Sequence, residues 1–329
     1  MASAREVASR FGISLPTAHE IINQLVKEGL LYRVRGSGTF IRRDKTRDSL
    51  RIALLDMPVR AVPQSLYHVF EEEINHIYNL LRSRNFQVQI ISYFELRNRV
   101  QALELLRSFD GLLISFTYLD QYSFPLFQES KTPFVVFLHS YEIDQPCSQV
   151  YADFLPGMME ALKLVVPSRR ENPVIFTETN VSCQASCDLW KKSLQNFGIP
   201  SEKIETVVID YLRRSFECYK YVRVYHEKLA KKLILTSSDG LACDLIAAFM
   251  LENYQPGKDF HVISCGDREA QGFRFSDEPM ITSIGVPEKQ IINEAVKLLL
   301  RLIESPSDCI YLTKIPSRLT IRKSFTGQD

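Results

Sequence analysis

No run of eighteen apolar residues occurs anywhere in the 329-residue chain, which excludes a membrane-spanning helix of ordinary length. Residues 1–20 lack the apolar core and small-residue cleavage site of a secretory signal. Seven cysteines, at 147, 183, 187, 218, 243, 265 and 309, are odd in number, scattered and without a C-x-x-C pair. That usage fits a reducing compartment and excludes a disulfide scaffold, so a cytoplasmic location is expected. The six histidines show no H-x-x-x-H spacing, and no G-x-S-x-G, Walker A or G-x-G-x-x-G sequence occurs. These absences speak against zinc hydrolases, serine hydrolases and nucleotide enzymes. Cys183 and Cys187 are one helical turn apart, but no histidine lies near them in sequence, and buried packing is the reading rather than a metal site. No catalytic residue, metal or cofactor is expected.

What is present is ordinary in bulk and uneven in arrangement. Apolar residues make up 45% and charged residues 24%, as in globular proteins, and the length allows two or three folding units. The net charge of +1 hides an asymmetry: residues 1–47 hold nine Lys/Arg against four Asp/Glu, leaving the remainder mildly acidic. A basic head on an acidic body attracts phosphates at one end only.

The head has a readable local grammar. Ser3 and Glu6 have capping-box spacing, Gly12-Ile13-Ser14 breaks the first helix, and Ser14 is placed to cap the second with Pro16 in its first turn. Ala18, Ile21, Ile22, Leu25 and Val26 form an apolar stripe at helical spacing, with Thr17, Glu20, Asn23, Gln24 and Lys27 opposite. Gly29 stops the helix. Leu31–Val34 and Thr39–Ile41 read as short strands around the cationic tip Arg35-Gly36-Ser37-Gly38. An exposed helix for the major groove beside a cationic glycine tip is a DNA-reading device.

These residues resemble the winged helix-turn-helix of the GntR family of bacterial transcription regulators. The resemblance is carried by S-A-R-E-V-A in the first helix, G-I-S before the second, T-A-H-E-I on it, and E-G-L-L-Y-R…G-S-G-T-F through the wing. It implies that Arg5 and Ser14 hold phosphates, that Thr17 and His19 face the groove, and that Gly36, Ser37 and Gly38 form the wing contact. Two departures stand out. Leu15 and His19 occupy positions where the family usually carries arginine, the commonest reader of guanine. The family pattern also begins with a further helix, whereas Met1 is two residues from Ser3, so that first helix is expected to be missing.

Residues 42–50 read as a charged linker. Beyond them short apolar runs alternate with amphipathic segments. Strands are expected at 52–57, 88–93, 111–116, 134–138, 174–177, 205–209, 233–236 and 261–265. Helices are expected at 67–84, 99–108, 155–165, 186–197 and 241–253. The alternation predicts an α/β protein with two doubly wound, parallel-sheet lobes behind the small winged head.

Residues 51–325 resemble the LacI/GalR-type effector domain, which is similar to type I periplasmic binding proteins. The resemblance rests on Asp110-Gly111-Leu112-Leu113-Ile114-Ser115, on Ser186-Cys187-Asp188-Leu189-Trp190, on Ser238-Asp239-Gly240-Leu241-Ala242, and on the aspartate position at Asp267. Pro279–Ile284 and Ile315–Ser324 complete the series in family order. GntR-type heads on such bodies form an arabinose-repressor-like subgroup. The resemblance implies domains at 1–41 and 51–325. It also implies a first lobe of about 51–150 with 280–306, and a second of about 151–279 with 307–325. It places a small-molecule effector in the cleft between them, faced by Ser115, Ser186 at the family's arginine position, Asp239 and Asp267. Aspartates accept hydrogen bonds from sugar hydroxyls. Asp239 also suits a helix N-cap, and Tyr67 suits either a stacking platform for a sugar ring or core packing.

The expectation is a bacterial transcription regulator, a repressor, acting as a homodimer on an inverted-repeat operator and modulated by a small molecule such as a sugar. The alternative is a small-molecule sensor whose degenerate head no longer binds DNA.

Overall fold

A computed structural model of the chain describes residues 4–27, 31–34, 38–41, 49–55, 67–115, 122–137, 141–166, 172–273, 275–307 and 309–327. The chain divides into two compact units, Met1–Leu50 and Arg51–Asp329.

In the head, α1 (Ala4–Phe11) and α2 (Leu15–Lys27) are joined by a three-residue turn. Gly12 adopts φ +63°, and the Ile13 amide donates to Ala8 O at 3.1 Å, the reach-back that closes a helix ending in a left-handed residue. Ser14 caps α2: its Oγ accepts from the Thr17 amide at 3.2 Å and lies 2.7 Å from Thr17 Oγ1. β1 (Leu31–Val34) and β2 (Gly38–Ile41) pair antiparallel with Leu31 opposite Ile41 and Val34 opposite Gly38. Ala8, Ala18, Ile22 and Leu31 are the buried apolar residues described. The expected stripe on α2 is therefore narrower than its sequence. Ala18 and Ile22 are buried and Leu25 and Val26 half-buried, whereas Ile21 is 42% exposed. Ser3, Gly29, Arg35, Gly36 and Ser37 lie outside the described residues.

The body carries two six-stranded sheets. The first runs β13-β7-β6-β5-β3-β4, with all neighbours parallel. Its strands are β3 (Arg51–Leu55), β4 (Gln87–Ile91), β5 (Gly111–Ser115), β6 (Phe134–Phe137), β7 (Gln149–Asp153) and β13 (Leu312–Pro316). The second runs β14-β12-β11-β10-β8-β9, parallel except where β12 meets β14. It comprises β8 (Pro173–Glu178), β9 (Glu205–Ile209), β10 (Leu233–Thr236), β11 (His261–Cys265), β12 (Thr282–Gly285) and β14 (Arg318–Thr320). Interior strands such as β5, β8, β10 and β11 are buried along their whole length, as strands covered by helices on both faces must be.

The helices of the first lobe are α3 (Tyr67–Arg82), α4 (Arg99–Arg107), α5 (Ser123–Ser130) and α10 (Glu288–Glu304). Those of the second are α6 (Leu155–Leu164), α7 (Val181–Asn196), α8 (Arg214–Leu229) and α9 (Asp239–Leu251). Trp190, the one tryptophan of the chain, is fully buried on α7 and donates from Nε1 to Thr236 O at 3.1 Å, which ties α7 to β10.

The chain crosses between sheets three times, at Phe154, at Val286-Pro287 and at Ser317. The expected lobe boundaries need correction at two of these points. Residues 282–284 pair with β11 in the second sheet, and residues 312–316 pair with β7 in the first. A strand leaves its sheet only after its ladder is complete, so the crossings fall at strand ends rather than at motif edges. The crossings at Phe154 and Ser317 are bonded together: the Ser317 amide donates to Asp153 O at 2.9 Å, and the Gly157 amide donates to Ser317 Oγ at 3.1 Å. Among the described residues no helix is long and apolar enough to cross a membrane.

Candidate functional site

The head presents one polar helix face. On α2 the side chains of Thr17, His19, Glu20, Asn23, Gln24 and Lys27 are exposed, and Arg5 is exposed on α1. Arg33 on β1 donates from Nη2 to Asn23 Oδ1 at 2.5 Å, which fixes the wing strand against α2. The Ser14 hydroxyl serves the helix cap, leaving the exposed N-terminal turn of α2 to face an anion. Gly38 opens β2 opposite Val34.

In the body, the polar side chains gather at the carboxyl ends of the second sheet, where open α/β sheets place ligands. Ser238 is the N-cap of α9, its side chain accepting from the Leu241 amide at 3.2 Å, so the capping role belongs to Ser238 and not to Asp239. Asp239, 2% exposed, is instead a bridge. Its Oδ1 accepts from Ser283 Oγ at 2.6 Å and its Oδ2 from the Arg268 amide at 2.6 Å. Burial raises its pKa above the ordinary value, against the lowering pull of these donors.

Asp267 follows β11 in a left-handed conformation, φ 52°, with its amide donating to Ser283 Oγ at 3.0 Å. Its carboxylate meets Arg322 Nη2 at 2.6 Å as an ion pair and accepts from Thr320 Oγ1 at 3.0 Å. Ser283 thus links the two aspartates. Ser186 is 4% exposed within α7, and its hydroxyl donates to Ser182 O at 3.2 Å. Ser115 is the buried last residue of β5 in the first lobe. Tyr67 begins α3, and its side chain lies outside what is described.

A second cluster at the same sheet end was not legible in the motifs. Glu178 closes β8 almost fully buried. Its Oε1 accepts from Arg214 Nη1 at 3.1 Å, and its Oε2 accepts from Ser238 Oγ at 2.7 Å and Cys183 Sγ at 3.2 Å. Arg214 also donates from Nε to Asp244 Oδ2 at 2.5 Å. Burial opposes the Arg214 charge, but Asp244 and Glu178 outweigh it and hold its pKa above the ordinary value. Burial pushes the Cys183 thiol up to about 11, so it is neutral at physiological pH and acts as a donor to Glu178, not as a nucleophile. Among the described residues Nη2 of Arg214 has no partner, and the side chain is 27% exposed. The one sequence signal for this cluster is an acid closing an otherwise apolar strand, V-I-F-T-E.

In the first lobe, a cavity of about 230 Å³ lined by Leu96, Arg97, Tyr122, Ser123 and Leu126 opens between the segment after β4 and the start of α5. It too lies on the carboxyl side of its sheet. Residues 56–66, 116–121 and 138–140, which follow β3, β5 and β6, lie outside the described residues.

Comparison with known proteins agrees with this two-part organisation. The family model for a periplasmic binding protein-like domain matches residues 188–325, and that for the IclR helix-turn-helix domain matches residues 1–35. The head thus matches a helix-turn-helix model of IclR type, and the GntR assignment is not supported. Caps, a glycine turn and an apolar stripe are what any helix-turn-helix needs, so they do not separate one such family from another.

Among curated proteins, the chain is 47% identical over 49 residues to the HTH-type transcriptional repressor NagR of Bacillus subtilis (strain 168), a match covering 15% of this chain. It is 26% identical over 112 residues, 33% of the chain, to the arabinose metabolism transcriptional repressor of Geobacillus stearothermophilus. These matches span only 20% and 30% of the two relatives. Among solved structures, a LacI family transcriptional regulator from Enterococcus faecium with bound ribose superposes with a TM-score of 0.63 at 18% identity. That match covers 85% of this chain and all of the other. The body therefore has the two-sheet, parallel-rich fold of periplasmic-binding-protein-like domains.

Proposed function

We propose that the chain is a bacterial DNA-binding transcription regulator, a cytoplasmic repressor whose operator affinity is set by a small molecule held between the two lobes of its body. The observation that carries this reading is the union, in one chain, of a helix-turn-helix head with a periplasmic-binding-protein-like body. The repressor names of the two curated relatives support it, as does the ribose held by the structural neighbour.

In this reading Arg5, the start of α2 at Ser14 and the wing from Arg35 to Gly38 contact phosphates, while Thr17 and His19 face base edges. Two heads, contributed by a homodimer, address the halves of an inverted repeat. The effector is a sugar or sugar derivative. Arg214 is its principal donor from the second lobe, because the guanidinium is held by Glu178 and Asp244 with one edge open to solvent. Asp239, Asp267 and Ser186 shape the sheet end behind it, and Ser115 and Tyr67 face it from the first lobe. The effector shifts DNA affinity to the extent that it binds one lobe arrangement more tightly than the other.

The test is duplex binding measured by fluorescence anisotropy at several salt concentrations, with and without a panel of pentoses and hexoses that includes ribose and arabinose. A steep salt slope with one sugar changing the affinity supports the proposal. Sugar binding without any duplex binding would favour instead a sensor whose head has lost DNA.

A further inference from the structure

We infer that Asn23 and Arg33 form one guanine-reading unit, in which the wing strand supplies to the face of α2 an arginine that the helix itself lacks.

α2 contains no arginine, and its one lysine, Lys27, closes the helix. Arginine is the commonest specific reader of guanine in the major groove. Here it arrives from β1, which packs against α2. Leu31 and Arg33 lie two apart on that strand and so share one of its faces. Leu31 is buried in the head, and Arg33, exposed, emerges from the same face at the edge of α2, where its Nη2 donates to Asn23 Oδ1 at 2.5 Å. Asn23 stands four residues after His19 and four before Lys27. The three form one row along the helix, and all are exposed.

The chemistry of the pair fixes the edge it shows. A guanidinium has donors and no acceptor, so the carboxamide turns its oxygen to Arg33 and its Nδ2 donors away. An asparagine that reads adenine uses oxygen and nitrogen together, and here the oxygen is engaged. What remains is Nδ2 of Asn23 beside the other donors of Arg33, an edge of donors alone. In the major groove adenine sets a donor beside its N7, thymine offers one acceptor beside a methyl group, and cytosine offers a donor. Only guanine presents two adjacent acceptors, N7 and O6. The charge is also available: among the described residues Arg33 forms no ion pair, although Glu20 lies one turn from Asn23 on the same helix.

The inference rests on the proposal that the head reads DNA and extends it to two residues which that reading leaves unassigned. The test is selection from a randomised duplex library, followed by sequencing, with the full chain and with Asn23→Ala, Arg33→Ala and Asn23→Asp. The parent is expected to select a motif containing a guanine that both alanine variants cease to require. Discrimination at that position should fall about fivefold or more while the other positions are kept. Placing 7-deazaguanine there, which lacks the N7 acceptor, should weaken the parent and leave Arg33→Ala unchanged. Asn23→Asp separates base reading from packing of the wing, since its carboxylate still accepts from Arg33 but has no donor to show a base. It should stay folded by circular dichroism and lose the guanine preference. Parent-like selection by Asn23→Asp would overturn the inference. So would uniform weakening of every sequence with a reduced salt slope in Arg33→Ala, the mark of a phosphate contact. A parent that selects no motif would overturn the DNA-reading proposal as well, whereas a parent motif that no variant alters would overturn this inference alone.

Discussion

Arg322 and Asp267 meet at 2.6 Å at the carboxyl end of the second sheet, 11% and 15% exposed. Arg322 also donates from Nη1 to Ile281 O at 2.7 Å and lies 3.9 Å from Glu269, whose carboxylate accepts from the Met280 and Ile281 amides. The terminal segment is thereby fastened to the strand end that bears Asp267. Removing one member leaves its partner charged and largely buried, at a cost of about 3–5 kcal/mol. Asp267→Ala and Arg322→Ala should each lower the urea midpoint accordingly, and the double variant should lose less than the sum. Additive losses would mean the pair is not coupled.

Asp239 gives a pH dependence with a definite sign. Burial raises its pKa above the ordinary value of 3.8, so the folded chain holds this proton more tightly than the unfolded chain. Its contribution is complete below 3.8 and is lost as pH rises toward the raised folded value. Asp239→Asn lacks that loss. The amide matches the protonated carboxyl in offering one acceptor oxygen and one donor group, so any deficit of the variant at low pH should narrow as pH rises. Denaturation midpoints across a pH series read the difference directly, and a widening gap would contradict the assigned cause.

Gly157 tests the crossing between lobes. A Cβ there would lie 2.4 Å from Ile284 Cγ2 and 2.8 Å from Ser317 Oγ, the hydroxyl that joins two crossings. Gly157→Ala should cost about 1–3 kcal/mol through overpacking and should shift effector affinity by displacing α6 from the crossing. Parent-like stability and binding would show that the contact is slack.

In the head, residues of two kinds should fail differently. Arg5→Ala and Arg35→Ala should weaken binding to every duplex and reduce the salt slope by about one each, as loss of a phosphate contact does. Thr17→Ala and His19→Ala should change which sequences bind while leaving the slope intact. Anisotropy with matched and unrelated duplexes separates the two patterns, and identical behaviour of all four variants would undo the assigned roles.

Most of the fold was legible because its strands are short apolar runs buried on both faces. β9, β10 and β11 lie where the runs predict them. α8 escaped the pattern because Phe216 and Val224 put apolar residues on its outward face, which erases the contrast that marks an amphipathic helix. α7 begins five residues before its expected start, since Asn180, and not a residue nearer Ser186, accepts from the Cys183 amide. The site was less legible. Glu178 and Arg214 are 36 residues apart and are joined only when β8 and α8 come to the same sheet end. Family positions located Asp239 and Asp267 but not their partners, because Ser283 comes from the neighbouring strand β12 and Thr320 and Arg322 from the segment that returns across the last crossing.

Selection of genomic fragments by the purified chain, followed by sequencing, tests whether the head reads DNA. Recovery of a shared inverted repeat whose affinity falls steeply with salt is the expected result. Recovery of no common sequence, with no salt-dependent affinity for duplex, would contradict it.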